Sequence, residues 1–74
     1  MKVIIKLFAT LRDGRGKIVE ADYDEGTQIH QIIKDLMIEE KEIAILLKNG
    51  ILAKMDDVIN EGDYLSIFPP VGGG

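Results

Sequence analysis

Cysteine is absent from the 74 residues, and histidine occurs once, as His30. Without a thiol there can be no disulfide framework, zinc ribbon, iron–sulfur ferredoxin cluster or cysteine nucleophile. With one imidazole there is no material for a histidine-based metal site or a Ser-His triad. Basic clusters are also missing. Lys and Arg are scattered, none lies beyond Lys54, and the formal net charge is −4, so no stripe tracks a nucleic-acid backbone. No apolar run approaches the roughly 20 residues of a membrane-spanning helix. The start, Met1-Lys2-Val3-Ile4-Ile5-Lys6, is broken by Lys6 and followed by no small-residue cleavage site, which leads us to expect a cytoplasmic protein that binds neither nucleic acid nor membrane.

What remains is a small globular chain, 46% hydrophobic and 30% charged, with room for one core. Chains of this size bury only about 60% of their unfolded surface, so most apolar residues are needed inside. Any chemistry must come from few residues or from a partner.

Val3, Ile5 and Leu7 alternate with Lys2, Ile4, Lys6 and Phe8, the period of a strand rich in β-branched residues. Asp13-Gly14-Arg15-Gly16 is a turn cluster, and Ile18 to Tyr23 reads as a second strand, so residues 2–23 suggest an antiparallel hairpin. Thr27 is positioned to cap a helix. Ile29, Ile32, Ile33, Leu36 and Met37 then form an apolar stripe at helical spacing, with Gln28, His30, Gln31, Lys34 and Asp35 on the other face. After the solvated stretch Glu39-Glu40-Lys41-Glu42, residues 43–48 read as a strand, and Asn49-Gly50 turns it into a short strand at Ile51-Leu52-Ala53. Residues 56–63 are polar and read as a loop. Tyr64 to Phe68 alternates again and stops at Pro69-Pro70, which cannot donate to a ladder.

A helix covering one face of a mixed sheet satisfies this order of elements. If the first and last strands are neighbours, a right-handed crossover makes them parallel at the sheet centre. The expected class is therefore α+β, a β-grasp (ubiquitin-like) domain over residues 1–70 with four to five strands on one main helix. Val3, Ile5, Leu7, Leu65 and Ile67 then face the helix, which sends Ile4, Lys6, Phe8, Tyr64, Ser66 and Phe68 outward. Phe8 and Phe68 should meet at one end of the sheet as a partner-binding patch, unless Leu11 or Leu52 covers them.

Val71-Gly72-Gly73-Gly74 follows the prolines as an expected flexible tail. Glycine has no Cβ and can thread a channel too narrow for side chains. Pro69-Pro70 favours an extended launch, and four extended residues reach roughly 13 Å at about 3.3 Å each. Glycine-rich ends also arise as frayed termini or expression remnants.

Leu7-Phe8-Ala9-Thr10-Leu11-Arg12, Gly62-Asp63 and, above all, Phe68-Pro69-Pro70-Val71-Gly72-Gly73-Gly74 resemble the small subunits of molybdopterin synthase, one branch of the ubiquitin-like sulfur carriers. The likeness runs the length of the chain. The loop after Arg12 is shorter than in that family, and Gly72 falls at a position the family varies. Relatives serving thiamine synthesis share the final Gly-Gly but usually lack the two prolines, so the pathway rests mainly on Pro69-Pro70. The resemblance implies that an ATP-dependent, ubiquitin-activating-like adenylyltransferase activates the Gly74 carboxylate. A sulfur donor then converts it to a thiocarboxylate, a strong nucleophile largely ionised at neutral pH. Val71, Gly72, Gly73 and Gly74 would thread the large subunit's active site, where the sulfur attacks a pterin precursor. Phe8, Arg12, Leu52, Phe68, Pro69 and Pro70 would bind the partner. The chain would bind no cofactor itself, since ATP belongs to the activating enzyme, and would be a monomer alone and a heterotetramer with the large subunit.

Two other classes stay open: a protein modifier conjugated to lysines through Gly74, and an adaptor that binds through Phe8 and Phe68 with an inert tail. Carriage of sulfur for thiamine or a tungsten cofactor is a further variant. Arg12 is equally readable as a solvated loop residue, and Leu52 as partly core. His30 reads as a surface residue. Asp56, Asp57, Glu61 and Asp63 lack the alternating ligand spacing of a calcium loop and read as a solvated acidic turn.

Overall fold

Alternation of β-branched residues builds the first hairpin. Strand β1 (Lys2–Leu7) and strand β2 (Ile18–Asp22) pair antiparallel, with Val3 opposite Ala21 and Ile5 opposite Val19. The computed structural model describes residues 1–71. Between the two strands the chain makes a 3₁₀ turn at Ala9–Arg12 and then reverses through Gly14 and Gly16, whose φ angles of 73° and 93° suit residues without a Cβ.

β3 (Thr27–Gln28) leads directly into helix α1 (Ile29–Asp35). Thr27 does not cap the helix, as the sequence suggested: Gln28 holds the N-cap position without a side-chain cap, while the Thr27 hydroxyl donates to the Asp24 carbonyl at 2.7 Å. The helix also ends earlier than its apolar stripe. Met37 takes a left-handed φ of 60° and is 84% exposed. The Ile38 N–H reaches the Ile33 carbonyl at 3.2 Å and the Met37 N–H that of Lys34 at 2.9 Å, the Schellman pattern of helix termination. Ile33 and Ile38, its apolar pair, are both buried.

A 3₁₀ turn at Glu40–Glu42 precedes β4 (Ile45–Lys48). Ile43 belongs to the end of that turn and not to the strand. Asn49 (φ 54°) and Gly50 (φ 81°) close the expected two-residue turn into β5 (Ile51–Leu52), since type I′ geometry needs positive φ at both positions. Residues 56–63 are not simply a loop. Val58–Ile59 forms β6, which pairs antiparallel with β3 (Thr27 opposite Ile59), and Ile59 is wholly buried. Burial of one isoleucine outweighs the polarity of its neighbours.

The last strand, β7 (Tyr64–Phe68), lies between β1 and β4. The main sheet has the order β2-β1-β7-β4-β5, with β1 and β7 parallel and the other pairs antiparallel. This is the β-grasp: five mixed strands against one helix, plus the small β3–β6 pair. Val3, Ile5, Leu7, Leu65, Ile67 and Leu46 pack from the sheet onto Ile29, Ile32 and Ile33 of the helix, all nearly inaccessible. Leu11, expected as a possible cover for the phenylalanines, is instead part of this core at 3% exposure. Among the described residues, no helix is long and apolar enough to cross a membrane.

Candidate functional site

Because β1 and β7 are parallel and in register from Ile4 opposite Tyr64 to Leu7 opposite Ile67, the residues after them emerge together at one end of the sheet. Phe8 and Phe68 meet there. Their rings stack with centroids 4.1 Å apart and planes inclined by 13°. The Phe8 N–H donates to the Ile67 carbonyl at 3.2 Å and fixes the crossing. Each ring is half-buried, and the two shield one another by stacking.

Arg12 closes over the Phe8 ring of this pair. Its Nε donates to the Leu7 carbonyl at 2.8 Å, and its guanidinium stands 5.4 Å from the centre of the Phe8 ring. Arg12 is thus tied to the turn that presents Phe8. Further along the same face, Lys6 Nζ lies 4.6 Å from the centre of the Tyr64 ring. Both cations accompany aromatic faces, and neither is in a salt bridge among the described residues. The patch therefore has a positive rim in an acidic protein.

The apolar surface continues across β7 to the far edge. Ile45 lies opposite Phe68, Leu47 opposite Ser66, and Leu52 opposite Leu47, so all share the outer face. Leu52 is 77% exposed and extends the patch; it is not core. Ile45 and Leu47 were not expected here, because in Ile45-Leu46-Leu47 both faces are apolar and no alternation shows which side is outward. Ser66 also points outward, yet it is buried between Lys6 and Leu47.

β7 runs straight into the tail. Pro69 is half-buried and Pro70 exposed, and Val71 is 94% exposed. Gly72, Gly73 and Gly74 lie outside the described residues.

The turn behind the patch is locked by Arg15, which the sequence pattern places only in a turn cluster. Arg15 Nε donates to the Leu36 carbonyl (3.1 Å), Nη1 to Leu11 (3.1 Å) and Nη2 to Met37 (3.2 Å). It satisfies carbonyls at the C-terminal end of α1, where a cation also meets the negative end of the helix dipole. Its only sequence signal was a helix without a terminal glycine.

The acidic turn proves structural. Asp63 accepts from Asn49 Nδ2 at 2.7 Å and from the Asn60 N–H at 2.8 Å, and Asp57 accepts from the Lys54 N–H at 2.9 Å. The hydrogen bond from Asn49, then that from Asn60, holds the Asp63 carboxyl below its ordinary value, with a smaller contribution from the charge of Lys48. No group of three or more potential ligands gathers for a metal among the described residues. His30 is exposed and pairs with Gln28 at 2.7 Å.

A β-grasp sheet with an apolar outer face, and a chain that leaves its central strand beside that face, defines a ubiquitin-like protein. The chain belongs to the ThiS family, whose model matches residues 5–74, and is a ubiquitin-like sulfur carrier of that family. No curated protein matches the sequence. Among solved structures it is similar to SAMP1 from Haloferax volcanii, with 26% identity over the whole of both chains and a TM-score of 0.82. It is similar too to a protein described as subunit 1 of molybdopterin converting factor from Pyrococcus furiosus, with 26% identity, 96% of this chain and 99% of that one covered, and a TM-score of 0.75. One chain in the complex of subunits 1 and 2 of molybdopterin-converting factor from Helicobacter pylori shares the fold, at 19% identity over the full length of that chain and of this one and a TM-score of 0.65.

Proposed function

We propose that this chain carries sulfur on the carboxylate of Gly74 and donates it as the small subunit of a molybdopterin synthase. The observation that carries the reading is the adjacency of two features: the stacked Phe8–Phe68 pair and, immediately after it, the chain leaving the domain at an almost fully exposed Val71. A partner that grips the patch receives the tail in a fixed direction. The likeness to the Pyrococcus furiosus protein and the two prolines support the molybdopterin pathway. The Helicobacter pylori complex of subunits 1 and 2 supports a large-subunit partner.

A carboxylate is a poor electrophile, because its leaving group would be an oxide. Attack of a Gly74 carboxylate oxygen on the α-phosphorus of ATP releases pyrophosphate and forms an acyl-adenylate. A hydrosulfide-level nucleophile then adds to the acyl carbon, the carbon–oxygen bond to AMP breaks, AMP departs, and a thiocarboxylate remains. Its ionised sulfur attacks the pterin precursor inside the large subunit, and water then cleaves the acyl–sulfur bond, which leaves the sulfur on the precursor and restores the Gly74 carboxylate. The partners supply acid–base and electrostatic groups, and this chain supplies the reacting atom, held on a cytoplasmic carrier. Phe8, Phe68, Leu52 and Pro69 form the docking surface, with Arg12 and Lys6 meeting acidic groups at its rim.

A second reading is favoured by the likeness to SAMP1, a small archaeal modifier protein. The same acyl-adenylate, or a thioester derived from it, is attacked by a lysine amine, which expels AMP or the thiol and gives an isopeptide bond. Deletion of Gly73-Gly74 separates the alternatives from an inert tail. The truncated protein keeps its fold and loses sulfur transfer to a pterin precursor in the presence of the large subunit. Transfer that survives truncation refutes the carrier reading, and conjugate ladders formed by the full chain in cell extract favour the modifier.

A further inference from the structure

We propose that the free edge of β2 is a second docking site, which takes an extended basic segment of another protein as an additional strand. It lies at the opposite side of the sheet from β5 and does not depend on the tail.

The register decides which backbone groups are free. The Leu7 N–H donates to the Lys17 carbonyl at 2.8 Å and the Tyr23 N–H to the Met1 carbonyl at 2.9 Å. In an antiparallel ladder, hydrogen-bonded and non-bonded pairs alternate. With Ile5 opposite Val19 and Val3 opposite Ala21, the odd-numbered residues of β2 bond to β1. The N–H and C=O groups of Ile18, Glu20 and Asp22 therefore point away from the sheet, and β2 is its outermost strand. No main-chain hydrogen bond occupies these groups among the described residues. This is a row of donors and acceptors on a five-residue strand without proline or bulge, the template that strand addition uses. The other edge, β5, has two residues.

Charge selects the occupant. Glu20 is engaged with Lys2 at 3.2 Å. Beyond it Asp22, Asp24 and Asp35 surround an open cavity of about 400 Å³ that also includes Tyr23 and Gln31. The Tyr23 hydroxyl donates to Asp35 Oδ2 at 2.9 Å and Gln31 Nε2 to Asp35 Oδ1 at 3.3 Å. Ile18, at the other end, is 57% exposed. A second copy of this chain is disfavoured: symmetric antiparallel pairing about Glu20 would set Glu20 against Glu20 and Ile18 against Asp22, a like-charge and a mismatched pair. An incoming strand with Lys or Arg on its outer face and small apolar residues on the other sets its cations beside Glu20 and Asp22 and its apolar side chains beside the half-buried Val19 and Ala21.

The test uses the full chain labelled with ¹⁵N and an acetylated, amidated peptide Val-Lys-Val-Lys-Val, with Val-Glu-Val-Glu-Val as control. Expected are shifts and slowed exchange of the Ile18, Glu20 and Asp22 amides with the basic peptide, little response to the acidic one, and weakening by salt. Asp22→Lys, at an exposed position, weakens binding about fivefold, which corresponds to about 1 kcal/mol. The proposal is overturned by no binding at millimolar peptide, by equal binding of both peptides, or by shifts confined to the Phe8–Phe68 face. Changes at the same amides on simple dilution, without peptide, assign the edge to a second copy and overturn it equally.

Discussion

Arg15 is expected to hold the molecule together more than any other charged residue. Arg15→Gln removes three hydrogen bonds to main-chain carbonyls, two of them partly buried and one exposed. A hydrogen bond from a charged donor contributes about 1.5–3 kcal/mol by mutation, much less when water can replace it. Its cation near the end of α1 adds about 0.3–1 kcal/mol. Carbonyls at this surface are partly resolvated, so the net loss is about 2–3 kcal/mol. A chain of 74 residues has a total stability of about 4–11 kcal/mol. At about 4–8 °C per kcal/mol, Tm falls by at least about 8 °C. Arg15→Lys keeps the charge without the planar fork and falls between the two. The assay is urea unfolding followed by far-ultraviolet circular dichroism, with an unchanged m-value showing that the native state is still compact. A midpoint for Arg15→Gln within about 0.5 kcal/mol of wild type, the level of an ordinary surface substitution, refutes the assignment of Arg15 as the cap of α1.

Ile59→Ala costs about 2–5 kcal/mol in the same assay because a fully buried side chain leaves a cavity; a change below 1 kcal/mol, roughly that of a loop position, contradicts the packing of β6. Phe68→Glu weakens binding of the proposed large-subunit partner by at least about 2 kcal/mol by calorimetry, as for a central interface anchor, with a much smaller change in Tm. A collapse of Tm instead makes Phe68 core. Burial first, then the hydrogen bond to Asp35 and the charge of that carboxylate, push Tyr23 from 10.0 up to about 12. The neutral phenol is thus favoured in the folded state, so its contribution is full below pH 10 and is lost as pH rises toward about 12. Tyr23→Phe flattens the stability profile in that window, and a profile of unchanged slope contradicts the Tyr23–Asp35 interaction.

Strands β1 and β2 were legible because charged residues stand at their outward positions. Lys2 and Lys6 between Val3, Ile5 and Leu7 set both the strand and its facing, and the parallel pairing of β1 with β7 then placed Phe8 beside Phe68. Asn49-Gly50 announced its turn through the positive φ both residues need. Three features were not legible, each for a physical reason. Periodicity does not show where a helix stops when Met37 takes the left-handed position usually given to glycine. A two-residue strand such as β6 is stabilised by tertiary burial of Ile59 and not by any local preference. Ile45 and Leu47 joined the patch unseen because Leu46 between them is apolar as well. Arg15 is the same lesson for polar groups: its partners Leu36 and Met37 lie 21 and 22 residues away, a distance no local pattern encodes.

Carriage of sulfur on Gly74 is the step on which the proposed function turns. Intact-mass measurement of the protein after incubation with a cognate activating enzyme, ATP and a sulfur source tests it most directly. The expected result is a gain equal to one oxygen replaced by sulfur, localised to Gly74 by fragmentation and abolished without ATP. An unchanged mass, with the activating enzyme shown to be competent on another carrier, contradicts it and leaves the patch as the binding surface of an adaptor.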